Sequence, residues 1–250
     1  MKKLLVPTDF SPNSKAGVRF AIRWADAQQL ELVFAHVLHV PRLTRWSDDY
    51  YEKFAAGEGA RCREQFEEFI TGIYKQMVIN PGKHTYVIVR GGSADLAILE
   101  HCRNNVDIDC ICISTRGAGS VKKLFGTNTG NLITKSPVPV LAIPQDYEGF
   151  NINTILYATD LKSYESELEQ VTAFAEPFKA TIDVVHFEND AGTQSFIKKM
   201  EEQVEIKKPD LVVMFTNQQR TLLQKLFQGS RAEELSFRSK IPLLVFNKKD

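Results

Sequence analysis

Two short stretches hold the residues whose types and spacing suit chemistry. The first is Pro7-Thr8-Asp9-Phe10-Ser11, and the second is Ser114-Thr115-Arg116-Gly117-Ala118-Gly119-Ser120, followed closely by Gly126-Thr127. Glycines let backbone N–H groups close on an anion, a hydroxyl at a helix start adds a donor, and the helix N-terminus itself favours negative charge. That is the chemistry of holding a phosphorylated ligand. Bond making would need a base, nucleophile or metal in one coherent group. The five histidines (His36, His39, His84, His101, His186) form no H-x-x-x-H or H-E-x-x-H spacing, and the chain has neither a G-x-x-x-x-G-K-[ST] loop nor a G-x-S-x-G elbow. No dedicated catalyst is indicated.

Other polar residues have plainer readings. Gly91-Gly92-Ser93 reads as a turn with Ser93 capping the helix ADLAILEHC, rather than as a second phosphate loop. Asp160 reads as a turn or cap residue, while Asp9 divides evenly between that role and ligand contact. Arg116, Lys122 and Lys123 either neutralise phosphate or form a solvated edge, the commoner fate of such cations. Cys110 and Cys112 alternate with Ile111 and Ile113 on one face of a strand and read as small core hydrophobes.

The elements that must position these residues recur along the chain. LLVPTDFS at residues 4–11 matches ILYATDLKS at 155–163, and FAHV at 34–37 matches VVHF at 184–187. DCICIST at 109–115 then matches DLVVMFT at 210–216, and SPVPVLAI at 136–143 matches SKIPLLVF at 239–246. Four landmarks in one order imply tandem units, 1–146 and 152–250. The offset falls from 150 for His36 and His186 to 101 for Asp109 and Asp210, so the second unit lacks a segment between its second and third landmarks. In the first unit that segment holds a helical pattern within 46–77 and the strand TYVIV at 85–89. Near-continuous apolar strands alternate with helices, one opening at Ser11-Pro12 and its counterpart at Ser163. The fold class is α/β: two tandem open parallel-sheet domains with helices on both faces, the second shortened by a strand and a helix. In such sheets a ligand sits beyond the carboxyl ends of the strands where strand order reverses.

Composition sets the outer bounds. The 250 residues are 43% hydrophobic and 25% charged, with 31 basic and 31 acidic side chains. A formal charge of zero opposes a chain-wide grip on nucleic acid or anionic lipid, so neither nucleic acid nor membrane is expected as a partner. No apolar run is long enough for a bilayer, the N-terminus does not read as a signal peptide, and four reduced cysteines suit the cytoplasm, the expected location.

At these residues the sequence resembles the universal stress protein family in its tandem form, through PTDFS with the helix after it, the strand ending His36-Val37, and the block 113–144. The resemblance implies the strand order 3-2-1-4-5, in which the second unit lacks an edge strand, and a stress-response or regulatory role. It also implies, for a subset of the family, ATP with magnesium. Asp9 would lie near the adenosine and Val37 beside adenine, and Gly117, Gly126 and Thr127 would cradle phosphates. Pro7, Thr8, Ser114, Arg116 and Gly119 complete the candidate cofactor-binding set. Two departures stand out against the family's G-x-x-G, nine residues, G-S/T. Ser114 replaces the first glycine, and eight residues rather than nine separate Gly117 from Gly126. In the second unit Phe215 and Gln218 replace both leading glycines. The alternative function is a nucleotide-independent interaction scaffold; slow ATP hydrolysis is a third reading. Expected partners are an adenine nucleotide, the other unit through the apolar last strands PVPVLAI and IPLLVF, a second copy of the chain, and an unidentified protein.

Overall fold

Among the described residues, nine strands and six α-helices follow the alternation read from the sequence. The structure is a computed structural model that describes residues 2–115, 127–159, 163–187, 193–216 and 240–247. The strands are β1 (Lys3–Pro7), β2 (Glu31–Leu38), β3 (His84–Arg90), β4 (Cys110–Ser114), β5 (Val140–Ile143), β6 (Thr154–Thr159), β7 (Thr181–His186), β8 (Leu211–Thr216) and β9 (Leu243–Asn247). The helices are α1 (Lys15–Gln28), α2 (Asp48–Met77), α3 (Ala94–Asn104), α4 (Thr127–Lys135), α5 (Glu165–Ala175) and α6 (Thr193–Lys207).

All nine strands join one sheet in the order β3-β2-β1-β4-β5-β9-β8-β6-β7. Strands are parallel within each half. The halves meet where β5 runs antiparallel to β9, with Val140 opposite Val245 and Leu141 opposite Leu244. The first half therefore has the order 3-2-1-4-5. The second repeats it without the outermost strand, and among the described residues it has one helix, α6, between β7 and β8, where the first has α2, β3 and α3. Because the direction reverses at β5/β9, the carboxyl ends of the two halves open on opposite edges of the sheet.

Strand alternation sends successive side chains to two cores. Leu4, Val6, Phe34, Cys110 and Cys112 join α1, α2 and α5 on one face, and Leu5, Val33, Ala35 and Ile111 join α3, α4 and α6 on the other. Strands covered on both sides carry apolar residues at every position, which is why β1 reads KLLVP with Leu4, Leu5 and Val6 fully buried. Burial drives the thiols of Cys110 and Cys112 up in pKa, so both remain protonated core groups.

Helix starts depart from expectation in detail. Ser11 does cap, but it caps a short 3-10 turn over Pro12–Ser14 that leads into α1, its Oγ accepting from the Ser14 amide at 3.3 Å. Ser163 is not the cap of α5. Its hydroxyl donates to Glu165 at 2.6 Å, and Tyr164 holds the cap position without a side-chain bond. Ser93 does occupy the cap position of α3, yet its hydroxyl donates to the Asp95 carboxylate instead of accepting from backbone. In both exceptions a carboxylate two residues on is the stronger acceptor, so the hydroxyl turns toward charge.

Candidate functional site

Strand order reverses between β1 and β4, and the carboxyl ends of these strands bring Thr8 and Asp9 near Ser114 and Thr115. A chain of hydroxyls ties the corner together. Thr8 Oγ1 lies 2.8 Å from Ser14 Oγ. Since the Ser14 hydroxyl donates to the Ser11 carbonyl at 2.8 Å, Thr8 is the donor in that pair. Ser114, 3% exposed, donates to the Ser14 carbonyl at 3.0 Å and accepts from the Gly17 amide at 2.8 Å. A Cβ added at Gly17 would stand 2.7 Å from the Ser114 amide nitrogen. Glycine there lets α1 press directly on the end of β4.

Phe10 takes an unusual left-handed backbone, φ 62°, which turns its ring back over the end of β2. The ring stacks on His36 at 4.1 Å between centroids and touches Phe66 and Phe69 of α2 at 5.1 and 5.6 Å. His36 Nδ1 sits 2.9 Å from the Thr8 carbonyl; a carbonyl only accepts, so Nδ1 carries the proton. Asp9 is exposed at the rim, with one oxygen accepting from the Ser11 amide at 3.1 Å.

Four described amides of this corner already have protein acceptors. Thr8 donates to the Ala35 carbonyl and Thr115 to the Ile143 carbonyl. Phe10 donates to Thr8 Oγ1 at 3.2 Å, and Ser11 to Asp9. Pro7 ends β1 opposite Ala35. Val37 sits two strands from β4 on the opposite core face from His36, packed near Gly91. Thr127 opens α4, and the Thr129 hydroxyl donates to the Ser114 carbonyl at 3.2 Å, drawing that helix to β4. Arg116, Gly117, Gly119 and Gly126 lie outside the described residues. No cluster of three or more metal-ligating side chains occurs among the described residues.

A family model described as the universal stress protein family matches residues 1–144. The chain belongs to the universal stress protein family. No curated protein matches the sequence. Solved structures show the same fold at low identity. A universal stress protein from Archaeoglobus fulgidus DSM 4304 superposes with a TM-score of 0.66 at 18% identity, covering 99% of this chain and 97% of that one. A functionally unknown protein from Pseudomonas aeruginosa PAO1 gives 0.61 at 13%, over 99% and 92%. A putative universal stress protein from Pseudomonas aeruginosa UCBPP-PA14 gives 0.57 at 14%, over 99% and 93%.

The second half of this universal stress protein places different chemistry at the matching corner. Phe215, where the first half has Ser114, is 2% exposed and stacks on Phe246 at 4.8 Å. Tyr157, fully buried, donates to the fully buried Glu167 at 2.6 Å and meets Tyr164 and Phe215 edge-on. Asp160 lies outside the described residues. Sequence reasoning missed the roles of Phe10, Ser14 and Gly17, whose partners lie on other strands. A phenylalanine inside an otherwise polar strand-to-helix turn was the available signal.

Proposed function

We propose that this member of the universal stress protein family is a regulatory, stress-response protein that takes an adenine nucleotide at the β1/β4 corner of its first half. The asymmetry between halves carries the proposal. In the first, small hydroxyls and Gly17 floor the corner and the Asp9 carboxylate stands exposed at its rim. In the second, Phe215 stands where the first has Ser114, and its ring meets Tyr157 edge-on and stacks on Phe246. Asp9 suits the ribose hydroxyls as an acceptor. The amides of Thr8, Phe10, Ser11 and Thr115 are engaged, so phosphate donors are sought in residues 116–127. Magnesium would therefore enter with the phosphates, not through a protein cluster.

The engaged amides favour a second reading, a nucleotide-independent scaffold whose open edges β3 and β7 accept a second copy or another protein. Thermal unfolding with millimolar ATP and magnesium separates the two. A ligand at 100 times its Kd stabilises by about 2.7 kcal/mol, which raises Tm by several degrees. Asp9→Ala should reduce that rise without lowering Tm in the absence of nucleotide. No rise in the unaltered protein supports the scaffold instead.

A further inference from the structure

At the opposite edge of the first half, where the amino ends of the strands lie, a cavity of about 300 Å³ opens between the last turns of α1 and α2. Ile22, Leu30, Leu32 and Ile79 form its apolar wall, and Gln29, Asn80 and Lys83 stand among its polar lining. Two further polar groups line it. Tyr74 is 4% exposed, and its hydroxyl has no hydrogen-bond partner among the described residues, although a buried phenol ordinarily finds one. Asp26, from the last turn of α1, lines the same cavity and makes no ion pair among the described residues.

Helix ends bring negative charge to the cavity, against the cations Lys75 in the last turn of α2 and Lys83 in the lining. α1 ends at Gln28 and α2 at Met77, each closed by a left-handed residue, Gln29 and Val78, so two negative helix ends converge beside the Asp26 carboxylate. The lining cation, Lys83, is paired with Glu31 at 2.6 Å. Burial, with the nearby Tyr86 and Asp26, pushes the Tyr74 phenol up to about 12, which keeps it a neutral hydroxyl able to accept from a cation. The second half has no counterpart to α2 among the described residues, so the cavity belongs to the first half only.

The geometry points to a binding site for a small organic ammonium ion with an apolar body, its charged head between Asp26 and the Tyr74 hydroxyl and its body against Ile22, Leu30 and Leu32. A volume at the small end of ligand cavities suits a body no larger than one aromatic ring with a short chain. This site is distinct from the β1/β4 corner and does not depend on nucleotide binding there.

Amide-resolved NMR titrations of the full chain test it with three probes of similar shape: phenethylamine, 2-phenylethanol and 3-phenylpropanoate. Phenethylamine should saturate and shift amides of residues 26–30 and 79–83, with the alcohol weaker and the carboxylate weakest. Asp26→Asn should weaken the amine about tenfold and leave the alcohol unchanged, while Tyr74→Phe should weaken both. Asp26 lies on an exposed helix surface, so its replacement leaves the fold intact for the comparison. Equal binding of carboxylate and amine, shifts confined to other regions, no saturation by the amine, or unchanged amine affinity in Asp26→Asn would each overturn the assignment.

Discussion

At the scale of single residues, Gly17 and Ser114 decide how α1 meets β4. The Ser114 hydroxyl both donates and accepts, and Gly17 leaves room for it. Gly17→Ala would drive a methyl to 2.7 Å from the Ser114 nitrogen, a backbone atom that cannot turn aside. The expected loss is about 1–3 kcal/mol in denaturant unfolding, with the helix itself gaining only a few tenths from alanine. An unchanged or raised midpoint would show that α1 does not bear on β4 as described. The same contact explains why Ser114 was legible as a site position but not in its role. Spacing along the chain placed it at a strand end, whereas its partners, 97 and 100 residues away, follow only from the fold.

Among elements, the pairing of helices with sheet faces was readable and the devices joining helices to one another were not. Apolar runs marked every strand, and the missing segment of the second half was visible as a shrinking offset. By contrast, α3 is tied to α4 through Asp95, which accepts from Ser93 and from Asn131, the latter at 2.6 Å. Burial raises the pKa of this carboxyl, but hydrogen bonds from Ser93, Asn131 and the backbone outweigh it and hold it below the ordinary carboxylate value. A depressed pKa means that the charged form stabilises the fold above the unfolded pKa and that this contribution is lost as pH falls through the folded one. Asp95→Asn should therefore cost about 1–3 kcal/mol at pH 7, with the gap from the unaltered protein closing below about pH 4. A gap that stays constant down to pH 2.5 would remove the ionic part of this link.

For the whole molecule, the two halves share one sheet and one packed seam. The same devices recur on each side. Asp109 accepts from the amides of Lys2 and Lys3, and Asp210 accepts from those of Asn153 and Thr154. Gln29 and Lys179 both close their segments with left-handed backbones. Across the seam Trp24 meets Phe174 at 5.6 Å and Phe178 at 5.8 Å, and Phe20 meets Phe150 of the connecting segment at 5.8 Å. The sequence suggested that the last strands would pair, because two long apolar edges left open invite aggregation. It could not show that Trp24 and Phe174 would meet edge-on across that seam, since the contact joins one half to the other. A continuous core of this kind should unfold in one transition. Trp24 fluorescence, read in a Trp46→Phe variant, and far-ultraviolet circular dichroism should report the same midpoint. Two separated midpoints would mean that each half holds its structure independently.

Nucleotide binding is proposed for the first half alone. Photolabelling with 8-azido-ATP, followed by mass spectrometry of the digested chain, puts that proposal to the test. Label is expected on peptides from the first half that carry the β1–α1 turn or the end of β2, abolished by excess ATP. Label on 154–216 that ATP competes away, or no competable label on the first half, would contradict it.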